Sequence, residues 1–343
     1  MVYTDLRGSL PSLTDLSPGD PTGALMLPIA FLANNTLCVT RLAGASSNEI
    51  IMVWNKLIRF VSGEKIYYGQ PIEAEGLDFQ KAASGRSIRA RVLAVPNGIF
   101  GPGVAETGEL LTVDKLLAPL ARSDVPAIKC IGLNYKKHIL EAGRSLPPYP
   151  SLFYKPVTCL AGPDTVVEIP KIAQDPPQTD YEGELCVIIG KTGKNIPLSD
   201  AMTYVAGYTC GNDVSSRTWQ RAKEYAGSVP QWSYSKGFDN YAPIGPLIVS
   251  SKIIVDPSVL HMRTVVNGEE RQSTPIADLC FDVPNLISFL SNGTTLEAGT
   301  IIMTGTPGGV GMPAKGGASL KAGDKIEIEI SEIGTLQHTM SEE

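Results

Sequence analysis

The chain has 343 residues, 43% hydrophobic and 19% charged, with a formal net charge of −6. At roughly 150 residues per domain, that length gives about two domains and a real hydrophobic core. The composition excludes an intrinsically disordered chain and a basic nucleic-acid binder. No apolar run reaches the roughly 18–20 residues that cross a bilayer, so neither nucleic acid nor membrane is an expected partner.

Residues 1–45 are interrupted by Gly8, Pro11, Pro18, Gly19, Pro21 and Gly23 and read as an irregular N-terminal extension. Asp5, Asp15 and Asp20 against a single Arg7 are the reverse of a basic secretory or mitochondrial leader. The six cysteines, Cys38, Cys130, Cys159, Cys186, Cys210 and Cys280, are never closer than 24 residues. That spacing excludes a CxxC zinc site, and it points to free thiols in a reducing compartment, with the cytoplasm as the expected location and the mitochondrion as the alternative. Over 46–120, "IIMVWNKLIRFV" and "KIYYGQPI" flank Ser62-Gly63-Glu64 and predict a small β-rich N-terminal domain, with a boundary near residue 120. Over 121–343, β-branched, turn-bounded runs predict strands near 127–134, 166–169, 184–190, 204–213, 246–255, 264–268, 300–306 and 325–330. Helical pattern is confined to 136–142, 199–204 and 283–291. The expected fold class is mainly β with a few helices (α+β).

Glu182 and Glu184 in "DYEGELCVIIG" stand one residue apart at the start of an apolar strand, so a period of two puts both carboxylates on one face. Two anions side by side need a cation between them or free access to water. A third carboxylate, Asp213 in "GYTCGNDVSSR", ends another predicted strand. Three carboxylates without His or Cys suit a hard divalent ion, Mg2+, Mn2+ or Ca2+; a solvated strand edge is the alternative. His138 and Glu141 are three apart on a predicted helix and share a face. A carboxylate holding one ring nitrogen makes the other a base for water or carbon acids, although a surface His–Glu pair has the same spacing. "TGTPGGVG", Thr304–Gly311, has neither a P-loop ending nor G-x-G-x-x-G spacing. Its N–H groups and the Thr304 and Thr306 hydroxyls are candidates for holding a small carboxylate or carbonyl oxygen. Lys155 and Lys236 lie in apolar, turn-rich surroundings, where each is either solvated or available to neutralise a bound acid.

Taken together, "IGLNYKKHILEAG", "LFYKPVTCLAGPDTVVEIP", "DYEGELCVIIGKTGKNI", "AGYTCGNDVSSRTWQ", "SKGFDNYAPIGP", "VNGEERQ" and "TGTPGGVG" resemble, in order and spacing, the fumarylacetoacetate hydrolase family. Within that family the chain is more similar to the shorter fumarylacetoacetate-hydrolase-domain enzymes, from about residue 56 to 337 and densely from Ile128 onward. The resemblance implies a mixed β-roll catalytic domain at 121–343, preceded by the small domain at 46–120. It also implies a divalent metal on Glu182, Glu184 and Asp213, with Mg2+ or Mn2+ first and Ca2+ as a further candidate. His138 and Glu141 match the family's catalytic dyad, in a segment that acts as a lid, and Lys236 matches the lysine near metal and substrate. Lys155, Arg217, Gln220 and Thr306 match substrate-side positions, and the family assembles as homodimers.

The implied activity is cleavage of a C–C bond in a β-dicarbonyl or α-keto acid, by an acylpyruvate-type hydrolase or an oxaloacetate-type decarboxylase, with the metal's charge stabilising the enolate. Alternatives are an isomerase, hydratase or retro-Claisen hydrolase of the same family, in aromatic catabolism or specialised-metabolite biosynthesis. From another class, a catalytically silent metal-binding scaffold is the remaining alternative. Two departures stand out: Thr218 where the family commonly has aspartate after the arginine, and Ala298-Gly299-Thr300 where "PGD" is common.

Overall fold

The computed structural model describes residues 52–72, 88–141, 143–311 and 318–343; the extension predicted for 1–45 lies outside them. Two strands, β1 (Lys56–Ser62) and β2 (Lys65–Ile72), form a hairpin closed at Gly63, whose φ of +59° is the left-handed conformation that glycine adopts without strain. Next come β3 (Arg89–Ala94), β4 (Ala105–Thr112), β5 (Ile128–Gly132), α1 (Lys136–Glu141), β6 (Ser151–Lys155) and β7 (Val166–Ile169). The centre of the chain supplies β8 (Gly183–Ile189), β9 (Val205–Asn212), α2 (Arg217–Arg221), α3 (Lys223–Ala226), α4 (Trp232–Ser235) and β10 (Ala242–Ser250). The last part adds β11 (His261–Val266), β12 (Glu269–Pro275), α5 (Val283–Ser291), β13 (Ile301–Met303), β14 (Lys325–Ile330) and β15 (Gly334–Glu342). The protein is mostly β with a few short helices.

One large sheet runs β4-β3-β2-β1-β10-β9-β8-β13-β5-β6, and a second, five-stranded sheet runs β12-β11-β14-β15-β7. Along these paths neighbours are antiparallel except β13 with β5 and β15 with β7. Residues Asn48–Glu343 cluster as one compact unit. The predicted passage near residue 120 falls between β4 and β5, while pairing of β1 with β10 keeps the early strands in the same sheet as the later ones.

Burial follows sequence pattern closely. All seven residues of β8 are buried, as expected of a central strand covered on both faces, which is why "LCVII" is a continuous apolar run. In β14 the outward Lys325, Glu327 and Glu329 alternate with fully buried Ile326, Ile328 and Ile330. At α5, Asp282 caps the helix by accepting the Asn285 N–H at 3.0 Å, and Pro284 occupies the first turn, where its missing N–H is harmless. Among the described residues, no helix is long and apolar enough to cross a membrane.

Three expectations need adjustment. The helix predicted at 199–204 is a 3-10 segment, Leu198–Tyr204, in which Thr203 Oγ1 donates to the Asp200 carbonyl and competes with regular helix bonding. The strand predicted at 246–255 ends at Ser250, because the Ile253 and Ile254 N–H groups both turn back to the Ser250 carbonyl. Strands β6, β12 and β15 fall outside the predicted runs; of these β12, "EERQSTP", is polar, and only its Gln272 and Thr274 face inward. A turn at Asn267-Gly268, both with positive φ, folds it back on β11.

Candidate metal centre and active site

Glu182 precedes β8 and Glu184 lies within it, two residues on, so both side chains leave the same face. The antiparallel register sets Gly183 against Asn212 and Glu184 against Gly211, which carries Asp213 to the same end of the strand pair. There the Asp213 N–H donates to the Glu182 carbonyl at 2.9 Å. All three carboxyls are buried, and one ligand oxygen from each lies within 4.8 Å of the others.

Three buried cations face them. Lys236 Nζ bridges Glu182 Oε2 at 2.9 Å and Asp213 Oδ2 at 2.5 Å. Arg217 opens α2 with Nη1 2.5 Å from Glu182 Oε1, and its Nε lies 2.7 Å from Oδ2 of a fourth buried carboxylate, Asp180. Lys155 Nζ is 2.7 Å from Asp213 Oδ1 and donates to the Val214, Lys236 and Tyr241 carbonyls. Four carboxylates therefore meet three cations. Among the described residues no lysine or arginine pairs with Glu184, whose Oε2 accepts only the Gly305 N–H at 2.7 Å. An uncompensated buried carboxylate is costly, and a divalent ion held by Glu182, Glu184 and Asp213 would compensate it. The all-oxygen donor set fits Mg2+, Mn2+ or Ca2+.

The electrostatics agree with that distribution. Burial pushes the Glu184 carboxyl well above the usual carboxylate range, reinforced by the charges of Asp213 and Glu182. Burial also acts on Glu182, but Lys236 and Arg217 outweigh it and hold this carboxyl at about 2. The Lys236 ammonium stays above its ordinary value because Asp213 and Glu182 outweigh its burial.

A pocket opens on this centre, lined by His138, Glu182, Arg217, Gln220, Lys236 and Thr306, with Phe153 and Trp232 as an aromatic wall. Helix α1 supplies His138, half-buried, and Glu141, exposed. Both approach Gly308, where an added Cβ would lie 3.4 Å from His138 Nδ1 and 3.5 Å from Glu141 Oε2. Gln220 Oε1 accepts from Arg217 Nη1 at 3.2 Å.

Two sequence expectations change. Lys155 is not on the pocket wall; its side chain is wholly buried behind Asp213, because β6 ends beneath the carboxylates and three carbonyls trap its ammonium. Thr304 does not face the pocket either, since its Oγ1 donates to the Leu185 carbonyl at 3.0 Å and continues the strand pairing. Only Thr306 of the two threonines lines the pocket. Asp180, Asn212, Gln272 and His338 were not singled out. Asp180 carried a signal, since the period of two extends back from Glu184 through Glu182 to it. Asn212 abuts Asp213 and Gln272 ends the family-like run "VNGEERQ", whereas His338, from the second sheet, carries no local signal. Asn212 Oδ1 accepts the Glu182 N–H at 2.9 Å, and its Nδ2 lies 2.8 Å from His338 Nε2. The ring nitrogen is therefore the acceptor, in a neutral imidazole.

Fold and centre together define a metal-dependent enzyme. The family model for the C-terminal part of fumarylacetoacetate (FAA) hydrolase matches residues 127–341, and the chain belongs to that family. It is 40% identical over 300 residues to a caffeoylpyruvate hydrolase of Neonothopanus nambi, covering 86% of this chain and 96% of that protein. It is 42% identical over 246 residues to an oxaloacetate tautomerase of Bacillus subtilis, covering 71% and 77%. Among solved structures, a fumarylpyruvate hydrolase from Pseudomonas aeruginosa in complex with Mn2+ and pyruvate matches with a TM-score of 0.56 and 31% identity, over 64% of this chain and 91% of that one. A 5-carboxymethyl-2-hydroxymuconate delta-isomerase from Mycobacterium smegmatis matches with a TM-score of 0.68 and 30% identity, over 84% and 100%.

Glu184→Gln keeps the shape of the side chain and removes one ligand charge. Mn2+ affinity, measured by calorimetry, is expected to fall by more than the roughly 10- to 100-fold that loss of a group behind a ligand costs, with the far-ultraviolet circular dichroism unchanged; unaltered affinity would remove Glu184 from the site. Burial also holds the His338 imidazole at about 3, below its unfolded value of about 6.5. Its stabilising contribution is complete above pH 6.5 and is lost as pH falls toward 3, because the unfolded chain takes up the proton first. The urea midpoint of the unmodified protein should decline across that window more steeply than that of His338→Gln, and equal slopes would contradict this account.

Proposed function

We propose that the chain is a divalent-metal-dependent hydrolase of acylpyruvates, in which an acyl group is joined to the methyl carbon of pyruvate. The observation that carries this reading is one pocket placing His138 beside a buried carboxylate centre, with Lys236 and Arg217 on the same wall. The near full-length likeness to a caffeoylpyruvate hydrolase supports it. A bound Mg2+ or Mn2+ would supply fixed positive charge where enolate charge develops as the C–C bond breaks. His138, aided by Glu141 on the same helical turn, takes a proton from water, and the hydroxide adds to the acyl carbonyl. The bond from that carbon to the methylene then breaks, its electron pair passing to the pyruvyl fragment. The His138 proton returns to the methylene carbon, releasing a carboxylic acid and pyruvate. Lys236 and Arg217, fixed by their carboxylate partners, hold negative charge on the substrate without having to reorganise.

A second reading, keto–enol tautomerisation of oxaloacetate, is supported by the likeness to the Bacillus subtilis tautomerase. It uses the same pocket but needs only proton transfer at His138. The exposed Leu152 and Tyr154 on edge strand β6, next to Tyr149 stacked on Phe289, support a homodimer through this face. The buried free thiols suit a reducing compartment such as the cytoplasm.

Metal-stripped protein, alone and with Mn2+, is given acetylpyruvate, fumarylpyruvate and enol-oxaloacetate while ultraviolet absorbance is followed and products are identified. The hydrolase reading expects Mn2+-dependent loss of diketo absorbance with one pyruvate per acid. It also expects His138→Ala to lower kcat by about 10²- to 10⁴-fold with Mn2+ affinity retained. Ketonisation of oxaloacetate without pyruvate from any acylpyruvate would transfer the assignment to the tautomerase, CO2 release to a decarboxylase, and inertness with bound Mn2+ to a scaffold. Light scattering should give twice the chain mass of 36.6 kDa; a single-chain mass would dismiss the dimer.

A further inference from the structure

The second sheet reaches the pocket through a side chain that the reaction above leaves unused. Gln272 is an inward position of β12 and is 2% exposed. Its Oε1 accepts the Gly183 N–H at 3.1 Å, and its Nε2 donates to Thr306 Oγ1 at 2.8 Å and to the Pro307 carbonyl at 3.2 Å. The orientation of this amide is over-determined: a backbone N–H only donates and a carbonyl only accepts, so the carboxamide nitrogen must face Thr306. Since that nitrogen also only donates, Thr306 Oγ1 receives its hydrogen bond through a lone pair and retains its own single proton. The threonine lines the pocket with His138, Arg217, Gln220 and Lys236.

We propose that Gln272 is a positioning residue that makes Thr306 a hydrogen-bond donor to a carboxylate or carbonyl oxygen of the bound keto acid. This rests on the keto-acid reading above and adds a residue to it. The same amide holds the backbone between Glu182 and Glu184, so one side chain sets the spacing between the substrate-facing hydroxyl and the carboxylate centre. Without Gln272, the Thr306 hydroxyl can turn its proton to a protein carbonyl, and the Pro307 carbonyl loses its donor.

The test is a binding cycle with pyruvate as probe on the full-length, Mn2+-loaded protein, by titration calorimetry, with Mn2+ affinity measured separately by electron paramagnetic resonance. Thr306→Val should weaken pyruvate binding about tenfold, the loss of one charge-assisted hydrogen bond. Gln272→Leu should weaken it to a similar extent, with the Mn2+ dissociation constant changed by less than about threefold. The double variant should be no weaker than the weaker single one, since both remove the same donor. If Gln272→Leu does not fold, Gln272→Met carries the test: it keeps an unbranched, uncharged side chain of similar length and removes the amide that donates to Thr306, so the tenfold loss should persist. Additive losses, loss of Mn2+ without loss of pyruvate, or no pyruvate binding by the unmodified protein would each overturn the proposal. Failure of the hydrolase reading shows itself separately, as absent turnover with the Gln272–Thr306 coupling intact.

Discussion

Four carboxylates buried at one end of a strand pair dominate this structure. Removing that much charge from water is unfavourable by many kcal/mol unless each group finds a counter-charge or hydrogen bonds. The surrounding architecture is largely the means of supplying them. Lys155 comes from β6, Lys236 from just after α4, Arg217 from α2, and the Gly305 N–H from the loop after β13. Four separate segments thus converge on one centre. The carboxylate left without a cation, Glu184, is the point at which a divalent ion completes the balance. Held by three anions, such an ion would leave the cluster with a small positive excess, the sign required to receive an anionic keto acid.

The five-stranded sheet contributes more than cover. A Cβ on Gly183 would meet Thr264 Oγ1 at 2.2 Å, so only glycine lets β8 approach β11 this closely between the two glutamates. Through that contact, Gln272 and the His338–Asn212 pair hold the backbone N–H groups of Gly183 and Glu182. The ligands therefore sit on a strand fixed from both sides, which is the preorganisation that charge stabilisation requires.

Much of the fold was legible wherever one chemical pattern had one structural meaning. The apolar run "LCVII" and the alternating "KIEIEI" read as strands and "VPNLISFLS" as a helix, and the structure forms each of them there. Legibility failed where local bonding or partners decided: Thr203 tightens the 198–204 segment, the Ser250 carbonyl ends β10, and "EERQSTP" becomes a strand only because β11 offers it a partner.

The sequence by itself determined the chemistry available: paired glutamates at strand period, an aspartate ending the neighbouring strand, a histidine and glutamate on one helical turn, and motifs whose order marks the family. Each of these depends on near neighbours in the chain and on periodicities of 2 or 3.6 residues. Which side chains face the substrate was decided only by the tertiary structure. Lys155 and Lys236 look alike in sequence, yet one lies behind Asp213 and the other lines the pocket; Thr304 and Thr306 divide in the same way. Gln272 and His338 join the site from strands about 60 to 160 residues distant in sequence from the carboxylates they support, and no local pattern records a contact made only when two sheets pack together.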